Sequence, residues 1–221
     1  MSVKKNRSMK KKAWAIALLL PITITVYVLL IISWHSLQKL PIIQELNFAI
    51  KDSTMQVEIP EEYMEIYLAA EEEYGVPWAL LAAQHRIETK FSTMSTLVSP
   101  VGAEGHMQFM PCTFVGWSHP SCGDLGKGDI PEEDKVNPEI IEMYGGYGID
   151  ANGDGIADPF DVEDAIFSAA NYLADSGAAD GEIEKAVFNY NRSNKYVEDV
   201  MYYYELYNSQ HEENKEVTKS K

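Results

Sequence analysis

One carboxylate in this sequence stands where a carboxylate is costly. Glu88 closes P-W-A-L-L-A-A-Q-H-R-I-E, an apolar run that begins at Pro77, and Leu81, Gln84 and Glu88 fall on one stripe by the i, i+3, i+7 rule. A carboxyl there meets apolar neighbours and the negative end of the helix dipole, and both disfavour its charged form and raise its pKa. A general acid working near neutral pH needs that property. By position alone the plainer reading is a helix-end Glu in solvent or paired with Arg86 or Lys90.

Eleven residues further on begins S-P-V-G-A-E-G-H-M-Q-F-M-P-C-T, Ser99 to Thr113. Its small residues allow close backbone approach, and Gln108 stands between Met107 and Met110. One amide flanked by thioethers suits a groove for an amide-bearing ligand, although a buried turn would share this composition. Glu104 is expected at the loop surface and not as a second reactive carboxylate.

A second chemistry is written at D-A-N-G-D-G-I-A-D, which begins at Asp150. Oxygen donors at positions 1, 3 and 5 (Asp150, Asn152, Asp154), Gly155 at 6 and the Ile156 carbonyl at 7 match the opening of an EF-hand calcium loop. Position 12 is Asp161, one methylene shorter than the usual Glu, with Asp164 as the alternative last ligand and Asp158 contributing through water. No helix of a paired sensor EF-hand precedes the loop, so a structural clamp is expected. The alternative is a charged surface turn.

Taken together, Glu88, S-P-V-G-A-E-G-H-M-Q-F-M-P-C-T and Tyr190-Asn191 in A-V-F-N-Y-N resemble the lytic transglycosylases of the soluble type, over about Glu58 to Tyr207. The resemblance implies a mainly α, lysozyme-like domain that cleaves the β-1,4 bond between N-acetylmuramic acid and N-acetylglucosamine in bacterial peptidoglycan. Glu88 would be the sole acid and then the base on the muramyl C6 hydroxyl, leaving 1,6-anhydro ends. Ser99, Gln108, Met110, Tyr190 and Asn191 match substrate-binding positions. Membrane-bound members with an EF-hand take their last carboxylate from the comparable helix start, which favours Asp164. Most glycosidases need two carboxylates flanking the bond, and none after Glu88 is a convincing partner. Thr89, the longer interval to Ser99, His106 and Arg192-Ser193 depart from the family's pattern. The alternatives are a hydrolytic muramidase and an inactive peptidoglycan-binding scaffold.

These residues need elements to hold them. Helices are predicted from Pro60, closed by Gly75, and from Pro77 to Glu88, this second one apolar almost all round and so central. Gly- and Pro-rich loops are expected over Ser99 to Gly155. Helices follow at Asp164 to Ala174, Gly181 to Asn189 and Tyr196 to Tyr207, with a polar, disordered tail from Asn208 (208–221). The tyrosines Tyr196, Tyr202, Tyr203, Tyr204 and Tyr207 read as packing of the last helix, with Tyr196 near enough to Tyr190-Asn191 to reach a cleft.

Charge divides the 221-residue chain. Six of its 18 basic residues fall within 1–12, and the rest carries 12 basic against 34 acidic side chains, a net of -22. An acidic chain of this kind argues against a nucleic-acid partner. Ala13 to Ser33 is an uncharged run of 21 residues, about 30 Å as a helix, the thickness of a bilayer core. The basic flank predicts one transmembrane signal-anchor (13–33) with a cytoplasmic N-terminus, a stalk over 34–58, and a domain over 59–207 facing the wall. A cleaved signal peptide is the alternative, but no A-x-A-like site follows Ser33. Outside the membrane Cys112 and Cys122 can form a local disulfide, the alternative being two free thiols. No organic cofactor is expected.

Overall fold

Proline and glycine set many helix ends in the computed structural model, which describes Tyr27 and residues 59–219 other than 124, with side chains to residue 211. The chain divides into two units, Met1–Glu58 and Ile59–Lys221. The predicted basic segment, membrane span and stalk therefore lie, but for Tyr27, outside the described residues. No helix among the described residues is long and apolar enough to cross a membrane.

The second unit is mainly helical. A 3-10 turn at Glu61–Tyr63 leads into α1 (Met64–Tyr74), which stops at Gly75 in the left-handed region (φ 68°). Pro77 stands at the N-cap of α2 (Trp78–Thr89). Three short helices follow, α3 (Pro111–Val115), α4 (Glu132–Lys135) and α5 (Pro138–Tyr144). Then come α6 (Val162–Asp175), a 3-10 turn at Ala178–Asp180, α7 (Ile183–Asn191) and α8 (Asn194–Lys219). Among the described residues no strand forms; isolated bridges pair Glu104 with Val98 and with Phe109.

The expected central helix is central. Nine of the twelve residues of α2 are buried, and it packs most extensively on α8 while α1 lies on α6. Leu80 and Leu81 are fully buried, so truncating either to Ala should cost about 2–5 kcal/mol. Gln84 is also fully buried, which an apolar stripe does not explain.

Two expectations need correction. The stretch predicted as loop holds three short helices, because Pro111 and Pro138 sit in first turns where the lost N–H costs nothing and Asn137 caps α5 by accepting from Glu139 N and Ile140 N. The tail predicted as disordered from Asn208 continues α8 to Lys219. Nucleation is the costly step of helix formation, and Gln, Glu and Lys propagate a formed helix at little cost.

The bond between Cys112 and Cys122 forms, with Cα atoms 5.6 Å apart. It closes the loop that follows α3.

Candidate active site

Glu88 lies on the last turn of α2, half-buried, and α8 supplies its partner. Tyr196, in the first turn of α8 and 8% exposed, donates its hydroxyl to Glu88 Oε1 at 2.5 Å. Burial pushes the Glu88 carboxyl up to about 7, against the lowering effect of that hydrogen bond. Since Oε1 accepts from Tyr196, the acid's own proton resides on Oε2. Burial and the nearby Glu88 raise Tyr196 and Tyr190 well above the usual phenol range, so both stay protonated donors.

Neither Arg86 nor Lys90 neutralises the acid. Arg86 lies over the Tyr203 ring, 4.3 Å from its centroid, and Lys90 is exposed. The plainer reading of Glu88, a solvated or paired helix-end carboxylate, does not describe the structure. Below it, the buried Gln84 amide stands near the hydroxyls of Tyr190 and Tyr196, yet neither of its ends is in hydrogen-bonding geometry with a partner. Sequence reading placed Gln84 on the stripe but gave Tyr196 mainly to packing; its contact joins residues 108 positions apart.

Tyr190 and Asn191 end α7. The Tyr190 hydroxyl donates to the Met107 carbonyl at 2.8 Å, and its ring lies 5.4 Å from Phe109 and 5.1 Å from Tyr172. This draws the Gly-rich loop to the end of α7 and so towards Glu88. Asn191 is exposed. Within the loop, Glu104 and Phe109 exchange backbone hydrogen bonds at 2.8 and 2.9 Å. Gly105 packs so closely on Pro159 that an added Cβ would lie 1.9 Å from the Pro159 carbonyl oxygen.

Ser99 and Gln108 brace this loop. Ser99 Oγ accepts from Ala103 N at 2.9 Å, which leaves its hydroxyl proton to donate. Gln108, in the left-handed region (φ 53°), donates its Nε2 to the carbonyls of Leu97 and Gly105, each at 2.8 Å. Both amide protons are thereby spent, and a ligand would meet only Oε1. Met110 is half-buried and caps α3 in an extended conformation.

Glu104 differs from expectation. It is only 19% exposed and pairs with Lys135 Nζ at 3.0 Å, beside a small cavity that Phe109, Phe114 and Pro159 also line. That pairing commits Glu104 to Lys135. None of Glu88, Tyr190 or Tyr196 lines this cavity.

The acidic loop is wound around its own side chains. Asp150 accepts from the amides of Gly153, Asp154 and Gly155, Asn152 Oδ1 from Asp154, and Asp154 Oδ1 from Ile156, at 2.8–3.1 Å. Asp164, fully buried, accepts from Ala151, Asn152 and Asp158. Asp161 instead caps α6 by accepting from Glu163 N and Asp164 N. Of the two candidate last ligands, Asp164 turns to the loop. Burial raises its pKa against the three amides that lower it. Among the described residues no Lys or Arg pairs with these aspartates, and no three Asp, Glu, His or Cys side chains are gathered closely enough to hold a metal as they stand.

No protein-family model, curated protein or solved structure matches this chain.

Proposed function

We propose that the domain is a peptidoglycan lytic transglycosylase with a lysozyme-like fold and Glu88 as its single acid and base. The observation that carries this is the Glu88 carboxyl, raised to about 7 and held by Tyr196 with no basic partner. At neutral pH such a group is divided between its acid and base forms, as a residue that first gives and then takes a proton requires. The nearest alternative carboxylate in the motif, Glu104, is committed to Lys135. Most glycosidases need a second carboxylate; with Glu104 so committed, we assign the attack on C1 to the muramyl C6 hydroxyl. Glu88 protonates the glycosidic oxygen as that bond breaks, then receives the proton of the C6 hydroxyl as the C6 oxygen bonds to C1. No water is consumed.

Calcium fits the acidic loop by donor chemistry. Asp150, Asn152, Asp154, Asp164 and the Ile156 carbonyl would hold it: Asp150 Oδ2, Asn152 Oδ1, Asp154 Oδ1 and Asp164 Oδ2 each accept from a single backbone amide and keep a second lone pair, whereas Asp150 Oδ1 and Asp164 Oδ1 already accept from two. The bound ion supplies positive charge to a cluster that otherwise repels itself. The N-terminal segment is proposed as a single-pass anchor in a bacterial cell membrane, presenting the domain to the wall.

Digestion of purified cell wall followed by mass spectrometry tests the reaction. Anhydro-muramic ends are expected from the wild type and none from Glu88→Gln. Products with reducing muramic ends would identify a muramidase, and equal activity in the two proteins would remove Glu88 from catalysis.

A further inference from the structure

Apart from the contacts of Glu88, one chain of hydrogen bonds joins four segments of the domain. Tyr67 Oη lies 2.7 Å from His85 Nδ1, His85 Nε2 lies 2.7 Å from Ser92 Oγ, and Ser92 Oγ lies 2.6 Å from His106 Nδ1. His106 Nε2 ends the chain 2.8 Å from the Phe160 carbonyl oxygen. That last contact sets the direction of all the others. A carbonyl only accepts, so His106 carries its hydrogen on Nε2, and in the neutral ring Nδ1 accepts from the Ser92 hydroxyl. Ser92 Oγ then accepts from His85 Nε2, and His85 Nδ1 accepts from Tyr67. Burial keeps His85 neutral, as this order requires, with its pKa pushed down to about 3.

Ser92 also sits on an unusual backbone. Lys90, Phe91 and Ser92 all have left-handed φ values of 54°, 57° and 64°, a region sparsely occupied by non-glycine residues and held only where the surroundings over-determine it. Here they do. Thr89 Oγ1 accepts from Ser92 N at 3.2 Å and donates to the His106 carbonyl at 2.8 Å. Phe91 is buried with its ring 5.6 Å from that of His85, and His106 N donates to the Pro159 carbonyl at 3.0 Å.

A serine beside two imidazoles suggests a nucleophile, but the amides near it are spent. Ser92 N is bonded to Thr89 Oγ1 and Thr93 N to the Thr89 carbonyl, so they offer no oxyanion site. What the chain does is fix one segment against another. Its strained turn begins two residues after Glu88, and His106 precedes Gln108 by two.

We propose that His106 is a positioning residue for the reaction at Glu88. Through Ser92 and His85 it locks the left-handed turn after α2 to the loop that carries Gln108 and Met110, and so fixes where the carboxyl stands against a bound glycan. The proposal rests on the glycan-cleaving reading of Glu88.

The test uses the purified full chain acting on soluble, uncrosslinked glycan strands. His106→Leu removes both ring nitrogens, Ser92→Ala removes the middle link, and His106→Gln keeps one acceptor and one donor. For the first two, kcat is expected to fall roughly 10- to 100-fold, the scale of an ångström-level misplacement, with KM within about twofold; His106→Gln should recover most of the loss. If His106→Leu does not fold, Ser92→Ala decides. A folded Ser92→Ala with wild-type kcat, a loss confined to KM, or a His106→Gln as poor as the Leu variant would each overturn the proposal. An inactive wild type would instead overturn the glycan-cleaving reading, and this proposal with it.

Discussion

Glu88 carries opposite demands for stability and for chemistry. Its folded pKa of about 7 lies above the ordinary 4.5, so its contribution to stability is fully present below the unfolded value and is lost as pH rises through about 7. Glu88→Gln should therefore melt higher than wild type at pH 8, by an amount on the order of 1–3 kcal/mol once partial exposure is allowed for, and equal to it near pH 4. Thermal melts at the two pH values check this; a variant no more stable at pH 8 would mean that the carboxyl is not desolvated. Tyr196→Phe removes the one hydrogen bond that favours the charged form. The fall in kcat on the alkaline side should accordingly move to higher pH, whereas an unmoved limb would detach Tyr196 from the acid. The carboxylate at the end of an apolar helix was legible in the sequence because local spacing defines it. Its partner was not, since the contact depends on how α8 crosses α2.

At the scale of elements, the Gly-rich loop is held by several independent ties. Tyr190 fastens it to α7, Thr89 and Ser92 to the end of α2, and Pro159 and Phe160 to the exit of the acidic loop. The acidic loop is pre-wound on its own amides, and Asp164 reaches it from the first turn of α6. If calcium binds there, a hundredfold excess over Kd adds about 2–3 kcal/mol, several degrees of melting midpoint for a domain of this size. Chelator should reverse the rise and Asp154→Ala should abolish it, as differential scanning calorimetry would show. Identical melts with calcium and with chelator would remove the site. The loop's donors were legible because their spacing is local. The resemblance favoured Asp164 over Asp161, and the structure adds a physical reason, since Asp161 caps α6 while Asp164 accepts from the loop amides.

For the whole molecule, the division falls between Glu58 and Ile59. A chain of residues 59–221 is thus expected to fold and to cleave soluble glycan strands at a rate similar to the full chain, while only the full chain sediments with membranes. Sedimentation and product assays on both check this. A full chain that stays in the supernatant would refute the anchor, and an unfolded 59–221 would refute the division. The net of -22 beyond the basic N-terminus includes the acidic loop, whose aspartates pair with no Lys or Arg among the described residues.

Sequence alone determined the helical character of this protein, the central place of α2, the pair of cysteines and the order of donors in the acidic loop. Each follows from spacing, composition or punctuation within about a dozen residues. Tertiary structure decided what those groups face: Tyr196 on Glu88, Lys135 on Glu104, the unpartnered Gln84 amide, and the path from Tyr67 through His85, Ser92 and His106. These contacts arise from packing between segments far apart in the chain, where burial sets both the cost of a charge and the direction of a hydrogen bond. The short helices and the continued α8 were settled at an intermediate level, by caps and propagation that composition alone understated.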